Sequence, residues 1–446
     1  MRLNLKPEKI VTHEGGIAKR INAKQELERS VMACLLWEDH FYVDGVSVAD
    51  RVANLIPKVK PDEVANIAIC CRKEMKIRHM PLFIVREMAR HNKHKKLVSK
   101  TLYEIINRPD ELCEFLAIYW KDGRTPISAQ VKKGLAKAFT KFDAYQLAKY
   151  NRPNAIKLRD VMFLTHPKPV SQEQANVWKK LVDNELPAPD TWEVALSKKD
   201  GVSKKVKWER LLKENRLGAM ALLRNLRNME KEGVSKELII KGIENMNVRW
   251  VLPFRFISAA IHAPAYEPYL EKALFKCLRN KPKLKGKTVV LVDVSGSMDW
   301  VTSSKSKVKL MDCACGLAII ANEVCEECEV YTFSEDLCRI APRSGFALRD
   351  AIIHSQRHQG TYLGKTLEIL NKNADYYRII VITDEQVHDT VGKPKGLGYM
   401  INVGSYKNGV GYGKWHHIDG WSEAVIDYII KRRLINGNKR RSCKEC

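Results

Sequence analysis

The residues best placed to do chemistry in this chain of 446 are oxygen ligands. In the run DVSGSM, Asp293, Ser295 and Ser297 follow a short β-branched stretch. A carboxylate and two hydroxyls are hard donors. They suit Mg²⁺ or another hard divalent ion that keeps some positions open. Two later segments supply what such a site lacks. QGTYLG puts Thr361 just ahead of a helical pattern, and ITDEQ puts Asp384 at the end of a strand pattern. No base–nucleophile pair accompanies them. Glu385, beside Asp384, is the neighbour that could suggest hydrolysis, but it has no evident metal role. The expectation is a binding site and not an enzyme.

These residues need a sheet to bring them together. Residues 283–438 alternate strand patterns (KTVVLVD, CEVYTF, RIIVITD, GYMINV) with helical ones (VKLMDCACGLAIIANEV, YLGKTLEILNK, WSEAVIDYIIKRRL). That alternation predicts a doubly wound parallel sheet covered on both faces. Ligands bind such sheets outside the carboxyl ends of the strands. Residues 25–282 show apolar positions at three- and four-residue steps almost throughout. Asp62, Ser128 and Ser235 stand where N-caps belong. Around a dozen short helices predict an α-solenoid of HEAT-like units, although no clean sequence period is present. The chain is thus read as multidomain α and α/β. Residues 1–24 form an N-terminal extension and 439–446 a basic tail.

Charge separates the two halves. Lys and Arg number 77 against 52 Asp and Glu, a net of +25. Residues 285–446 account for only +4 of this, so residues 1–284 carry +21. That imbalance predicts a polyanionic partner, mainly for the first part. Ten basic residues against Asp122 and Asp143 fall within 121–159. Lys133, Lys137 and Lys141 recur at i, i+4, i+8, opposite Val131, Leu135, Ala138 and Phe142. Like charges so spaced repel, and phosphates set against them release counterions. Lys149, Arg152, Lys157 and Arg159 continue the group toward phosphate and shape contacts. A basic face kept only for solubility is the alternative. Lys198, Lys199, Lys204, Lys205, Lys207 and Arg210 form a second group, which either extends the surface or is a solvated segment. His79, His91 and His94 lie among cations and read as surface or phosphate-contacting histidines, not metal ligands. Arg224 sits in an apolar helix, ALLRNLRNM. It is either bonded inside the fold or lines a cavity that receives RNA.

No apolar run reaches the roughly 18–20 residues of a membrane span, and the first residues have no apolar leader core. Several of the twelve cysteines lie in apolar helical patterns, as reduced buried thiols do. The pairs Cys325–Cys328 and Cys443–Cys446 are read as thiols in preference to a zinc site. The expected compartment is a reducing cytoplasm.

The five metal positions, Asp293, Ser295, Ser297, Thr361 and Asp384, resemble the metal-ion-dependent adhesion site of von Willebrand factor A domains. Such a site is a docking point whose ion can take a protein carboxylate. The order of a helical repeat region and then an A domain, with LLRNL at 222–226 and LRDVMFLTHPKP at 158–169, resembles the Ro autoantigen family, whose helical region is the TROVE domain. A bacterial or phage-type member fits best. The resemblance implies a monomeric ring of helical repeats bridged by the A domain. It implies Y-like noncoding RNA on a basic outer surface and single-stranded 3′ ends of misfolded RNA in a central hole. It also implies a role in RNA quality control or processing, with an exoribonuclease as possible partner. The RNA surface carries over to Lys133, Lys137, Lys141, Lys149, Arg152, Lys157 and Arg159. His166 lies in the matching THPKP segment. Two competitors remain: an A-domain adaptor for an ATPase or assembly machine, and a metal-dependent nuclease.

Overall fold

The computed structural model describes residues 10–31, 48–74, 77–187, 191–197, 200–249, 251, 253–279, 281–302, 307–404, 406, 408–420, 425, 426 and 429. Most of the expected terminal helix over 421–434, the basic tail, Cys443, Cys446, Lys198 and Lys199 lie outside these residues. The chain divides into two compact units, residues 49–216 and residues 1–48 with 217–446.

The first of these is helical. After α1 (Ala23–Val31), which belongs to the other unit, come α2 (Val48–Leu55), α3 (Pro61–Lys73), α4 (His79–Arg90), α5 (Lys95–Ile105), α6 (Pro109–Tyr119), α7 (Ala129–Phe139), α8 (Ala144–Tyr150), α9 (Leu158–Thr165), α10 (Gln172–Val182), α11 (Trp192–Ser197) and α12 (Lys204–Lys213). From α3 to α10 each helix packs on the second one along the chain. This is how two layers of stacked helices bury a continuous core, as solenoid repeats do. Pro61 and Pro109 open their helices at the first turn, where a missing N–H costs nothing. Ser128 caps as expected, accepting from the Val131 N–H at 3.4 Å. Asp62 does not cap. Because the chain enters α3 through Pro61, Lys60 takes the cap and Asp62 falls in the first turn, where its charge favours the helix dipole. α5 and α7 approach closely because Gly134 has no side chain. A Cβ there would stand 2.9 Å from that of Leu102.

The second unit holds a six-stranded sheet: β1 (Leu284–Asp293), β2 (Cys325–Phe333), β3 (Leu337–Arg339), β4 (Arg378–Thr383), β5 (Leu397–Asn402) and β6 (Trp415–Asp419), in the order β3-β2-β1-β4-β5-β6. Every pairing is parallel except β2 with β3. β1 pairs with both β2 and β4. The winding direction therefore reverses beside β1, and a doubly wound sheet opens its crevice at that point. Val289 and Leu291 of β1 join Phe333, Val381 and Met400 in one core with Leu363, Leu367 and Leu370 of α19 (Leu363–Asn373). Val290 and Val292 point the other way and are equally buried. α17 (Leu310–Val324) packs on β1, β2 and β4 and is buried nearly all round.

Four helices precede the sheet, α13 (Ala219–Lys231), α14 (Lys236–Asn245), α15 (Phe254–His262) and α16 (Glu267–Leu278), and α15 and α16 pack on α17. The contact is made at Gly316, where an added Cβ would stand 2.8 Å from the Phe254 ring. α18 (Gly345–Ile353), β3 and β6 carry no strong sequence pattern and were not expected from sequence. The observed fold is multidomain, α and α/β with a mostly parallel sheet, as its periodicities imply.

Candidate metal centre and nucleic-acid surfaces

The sheet delivers Asp293 and Asp384 to its switch point. Asp293 is the last residue of β1, and Asp384 follows β4 directly. Both are completely buried. One Asp293 oxygen accepts from the Ser295 N–H at 2.9 Å, and the other from the Thr383 hydroxyl at 2.5 Å. The hydroxyls of Ser295 and Ser297 lie 3.3 Å apart. Thr361 is buried as well. Its loop is fastened to the one after β4, where His388 N–H donates to the Thr361 carbonyl at 2.9 Å and His388 Nδ1 accepts from the Thr361 N–H at 3.1 Å.

Charge at this point is poorly compensated. Burial, and then the charge of Asp293, hold the Asp384 carboxyl up at about 7. Burial also raises Asp293. Asp384 Oδ2 is buried with no hydrogen-bond partner. Buried polar atoms are nearly always satisfied. Two buried carboxylates, one with an orphan oxygen, beside the hydroxyls of Ser295 and Ser297 are what a hard divalent cation would satisfy. The residues present fit such an ion.

Glu385 takes no part in that set. It adopts a left-handed backbone conformation, φ +64°, which turns its side chain into a second buried cluster. Arg29 of α1 donates from Nη1 to Glu385 at 3.0 Å and lies 3.7 Å from Asp419. Its other nitrogens donate to the carbonyls of Tyr406 (2.7 Å) and Asn408 (2.9 Å). His417 bonds to Glu385 and stands 3.3 Å from Asp419. Burial opposes the charge on Arg29, but Glu385 and Asp419 outweigh it and raise its pKa. In His417 burial acts downward, yet Asp419 and Glu385 carry it to about 9. Glu385 is pushed up by burial and pulled far below the carboxylate range by Arg29 and His417. The N-terminal segment adds further ties. Thr12 donates to the Val387 carbonyl at 2.6 Å, and His13 N–H to Gln386 at 3.0 Å. The loop bearing Asp384 is therefore clasped by residues 12–29. Arg29 stands 356 residues from Glu385 along the chain, so no local pattern signals the cluster.

The basic segment is brought partly together. Lys133 and Lys137 are exposed on α7, opposite the buried Val131, Leu135 and Ala138, and Phe142 is buried beyond the helix end. Lys141 departs from the expected stripe. The helix ends at Phe139, and Lys141 turns inward to cap α5, donating to the carbonyls of Tyr103 and Ile106. Its Nζ sits 4.0 Å from the centroid of the Tyr103 ring, and that of Lys137 4.6 Å. Ring and carbonyls offset the repulsion between these lysines. Lys149 and Lys157 are half-buried, and Arg152 and Arg159 are exposed with only distant carboxylates, at 4.0 and 3.9 Å. His166 is exposed and ends α9 at φ +49°, so its backbone already has a structural task. Leu158 is buried. Lys207 is not on the surface: it is buried and paired with Asp200 at 2.7 Å. His94 is also buried, where surface exposure was expected, and burial lowers its pKa.

Arg224 resolves in favour of a cavity. It is exposed on α13 and lines an open groove of about 510 Å³ between α13 and α15, together with Arg227, Arg255 and His262. Among the described residues, no carboxylate lines the groove. Met220, Leu223 and Ala259 supply its apolar wall. Arg227 follows Arg224 at i+3 and could have been read with it. Arg255 lies on another helix and could not.

Such a fold, helical repeats with a doubly wound sheet whose edge gathers hard ligands, defines a class. The TROVE domain family matches residues 10–184 and 182–311, and the chain belongs to that family. The crystal structure of the Ro (RSR) protein of Deinococcus radiodurans is similar at TM-score 0.60, covering 90% of this chain and 97% of that one at 17% identity. No curated protein sequence matches this chain. Ro-type proteins bind RNA. No described helix is long and apolar enough to cross a membrane.

Proposed function

We propose that the protein is a non-enzymatic, cytoplasmic Ro-type RNA-binding protein, monomeric, acting in RNA quality control or processing. In this reading the arginine groove takes the single-stranded 3′ end of misfolded RNA. The basic face of α7–α9 holds a small noncoding, Y-like RNA. The observation that carries the reading is the groove: three arginines and a histidine converge on one apolar-walled opening with no carboxylate among its described lining residues. Arginine forks match phosphate oxygens in pairs. The apolar wall suits a base edge or ribose.

The metal reading rests on the orphan oxygen of Asp384. Asp293, Ser295, Ser297, Thr361 and Asp384 would hold Mg²⁺, whose charge would neutralise the carboxylate pair and offer an open position to a protein carboxylate. An exoribonuclease is a fitting partner there. Glu385 is committed to Arg29, and Asp389 of the same loop to the N–H groups of Gly364 and Lys365.

Replacing Arg224, Arg227 and Arg255 together by alanine tests the groove. A hydrogen bond to a charged group is worth about 1.5–3 kcal/mol. Affinity for a short single-stranded RNA in filter binding should fall at least about tenfold per lost contact. Lys133→Glu with Lys137→Glu should instead weaken retention of a hairpin. Unchanged single-strand binding by the triple variant, with its circular dichroism intact, would remove the groove from the account.

A further inference from the structure

The basic segment carries exposed aromatic rings that charge alone does not require. Tyr145 on α8 is 55% exposed and Phe163 on α9 is 58% exposed. Lys149 Nζ lies 6.0 Å from the Tyr145 ring centroid and 5.9 Å from that of Tyr150. The Arg152 guanidinium is also 5.9 Å from Tyr150. Phe163 stands one helical turn from the exposed Arg159. Each exposed ring thus has a cation of its own helix beside it or one turn away.

Leaving a large apolar side chain in water forgoes the stabilisation that its burial would give. A face kept for solubility gains nothing from that. A continuous RNA duplex offers phosphates, 2′-hydroxyls and a shallow groove, and its bases are already stacked on one another. Unpaired bases present a free π-face, and the phosphate next to each falls within reach of a cation beside the ring. We infer that Tyr145 and Phe163 stack on unpaired bases, so that this face selects RNA loops or bulges over continuous duplex. The inference rests on the RNA-binding reading of the face. A protein is the other possible occupant of exposed rings, but ten basic residues against two acidic ones within 121–159 favour the polyanion.

The test uses the full chain and two labelled RNAs of equal charge, a hairpin with an unpaired adenosine loop and a blunt duplex. Stacking is worth about 1–3 kcal/mol per base. Tyr145→Ala with Phe163→Ala should weaken the looped RNA about tenfold or more and leave the duplex unchanged. Tyr145→Phe and Phe163→Trp should keep the wild-type preference. Both rings are exposed, so the alanine variant should melt as the parent does. Equal losses on the two RNAs, or none on either, would overturn the inference and leave the rings to a protein partner. Failure of the parent chain to bind either RNA would instead refute the RNA reading of the face.

Discussion

Asp384 concentrates the metal argument in one atom. Its Oδ2 is buried without a partner, and its neighbour Asp293 carries the same charge. Removing one charge should therefore help the protein without metal. Asp384→Asn should raise the melting temperature in chelator and abolish the further rise that Mg²⁺ gives the parent. Equal Mg²⁺ shifts in both proteins would mean that the ion binds elsewhere. The five positions proposed as ligands stand out in sequence because four lie where a strand pattern breaks into polar residues and Thr361 stands just ahead of a helical one. Lys141 shows the limit of such reading. Helical spacing put it in a stripe with Lys133 and Lys137, but the helix stops two residues earlier, and the open carbonyls of α5 draw the ammonium inward. Spacing gives a direction only while the element lasts.

α1 reaches the residues around the sheet through Arg29. Arg29 is fully buried and satisfies Glu385 and two carbonyls at once. Removing one partner of a buried ion pair costs about 3–5 kcal/mol, because the other charge stays behind. Arg29→Met should lower stability by about that much in urea unfolding, and a loss near zero would show that the clasp is idle. His417 makes the same cluster sensitive to pH. Its pKa is about 9 in the fold against 6.5 for an ordinary histidine. The stabilisation is complete below pH 6.5 and is lost as pH rises through 9. The melting temperature of the parent should fall across that window, and His417→Gln should flatten the fall. Elements with strong periodicity, such as α9, β1 and β4, were readable from sequence. β3, β6 and α18 were not, since three to nine residues with mixed polarity carry too little pattern to stand out.

At the scale of the whole molecule, charge and fold divide differently. The net charge is concentrated in residues 1–284, while the arginine groove of α13 and α15 belongs to the compact unit that contains the sheet. The proposed polyanion binding is therefore not confined to the solenoid helices. Composition announced the partner class, and one arginine of the groove was in view, but the meeting of α13 with α15 exists only in three dimensions. The most direct test of the central claim is the salt dependence of single-stranded RNA binding by the full chain. Each neutralised phosphate of a single strand contributes a slope of about −0.7 in log affinity against log salt. Three groove arginines then predict roughly a hundredfold loss over a tenfold rise in salt. Absence of binding at low salt, or an affinity that does not change with salt, would contradict the account.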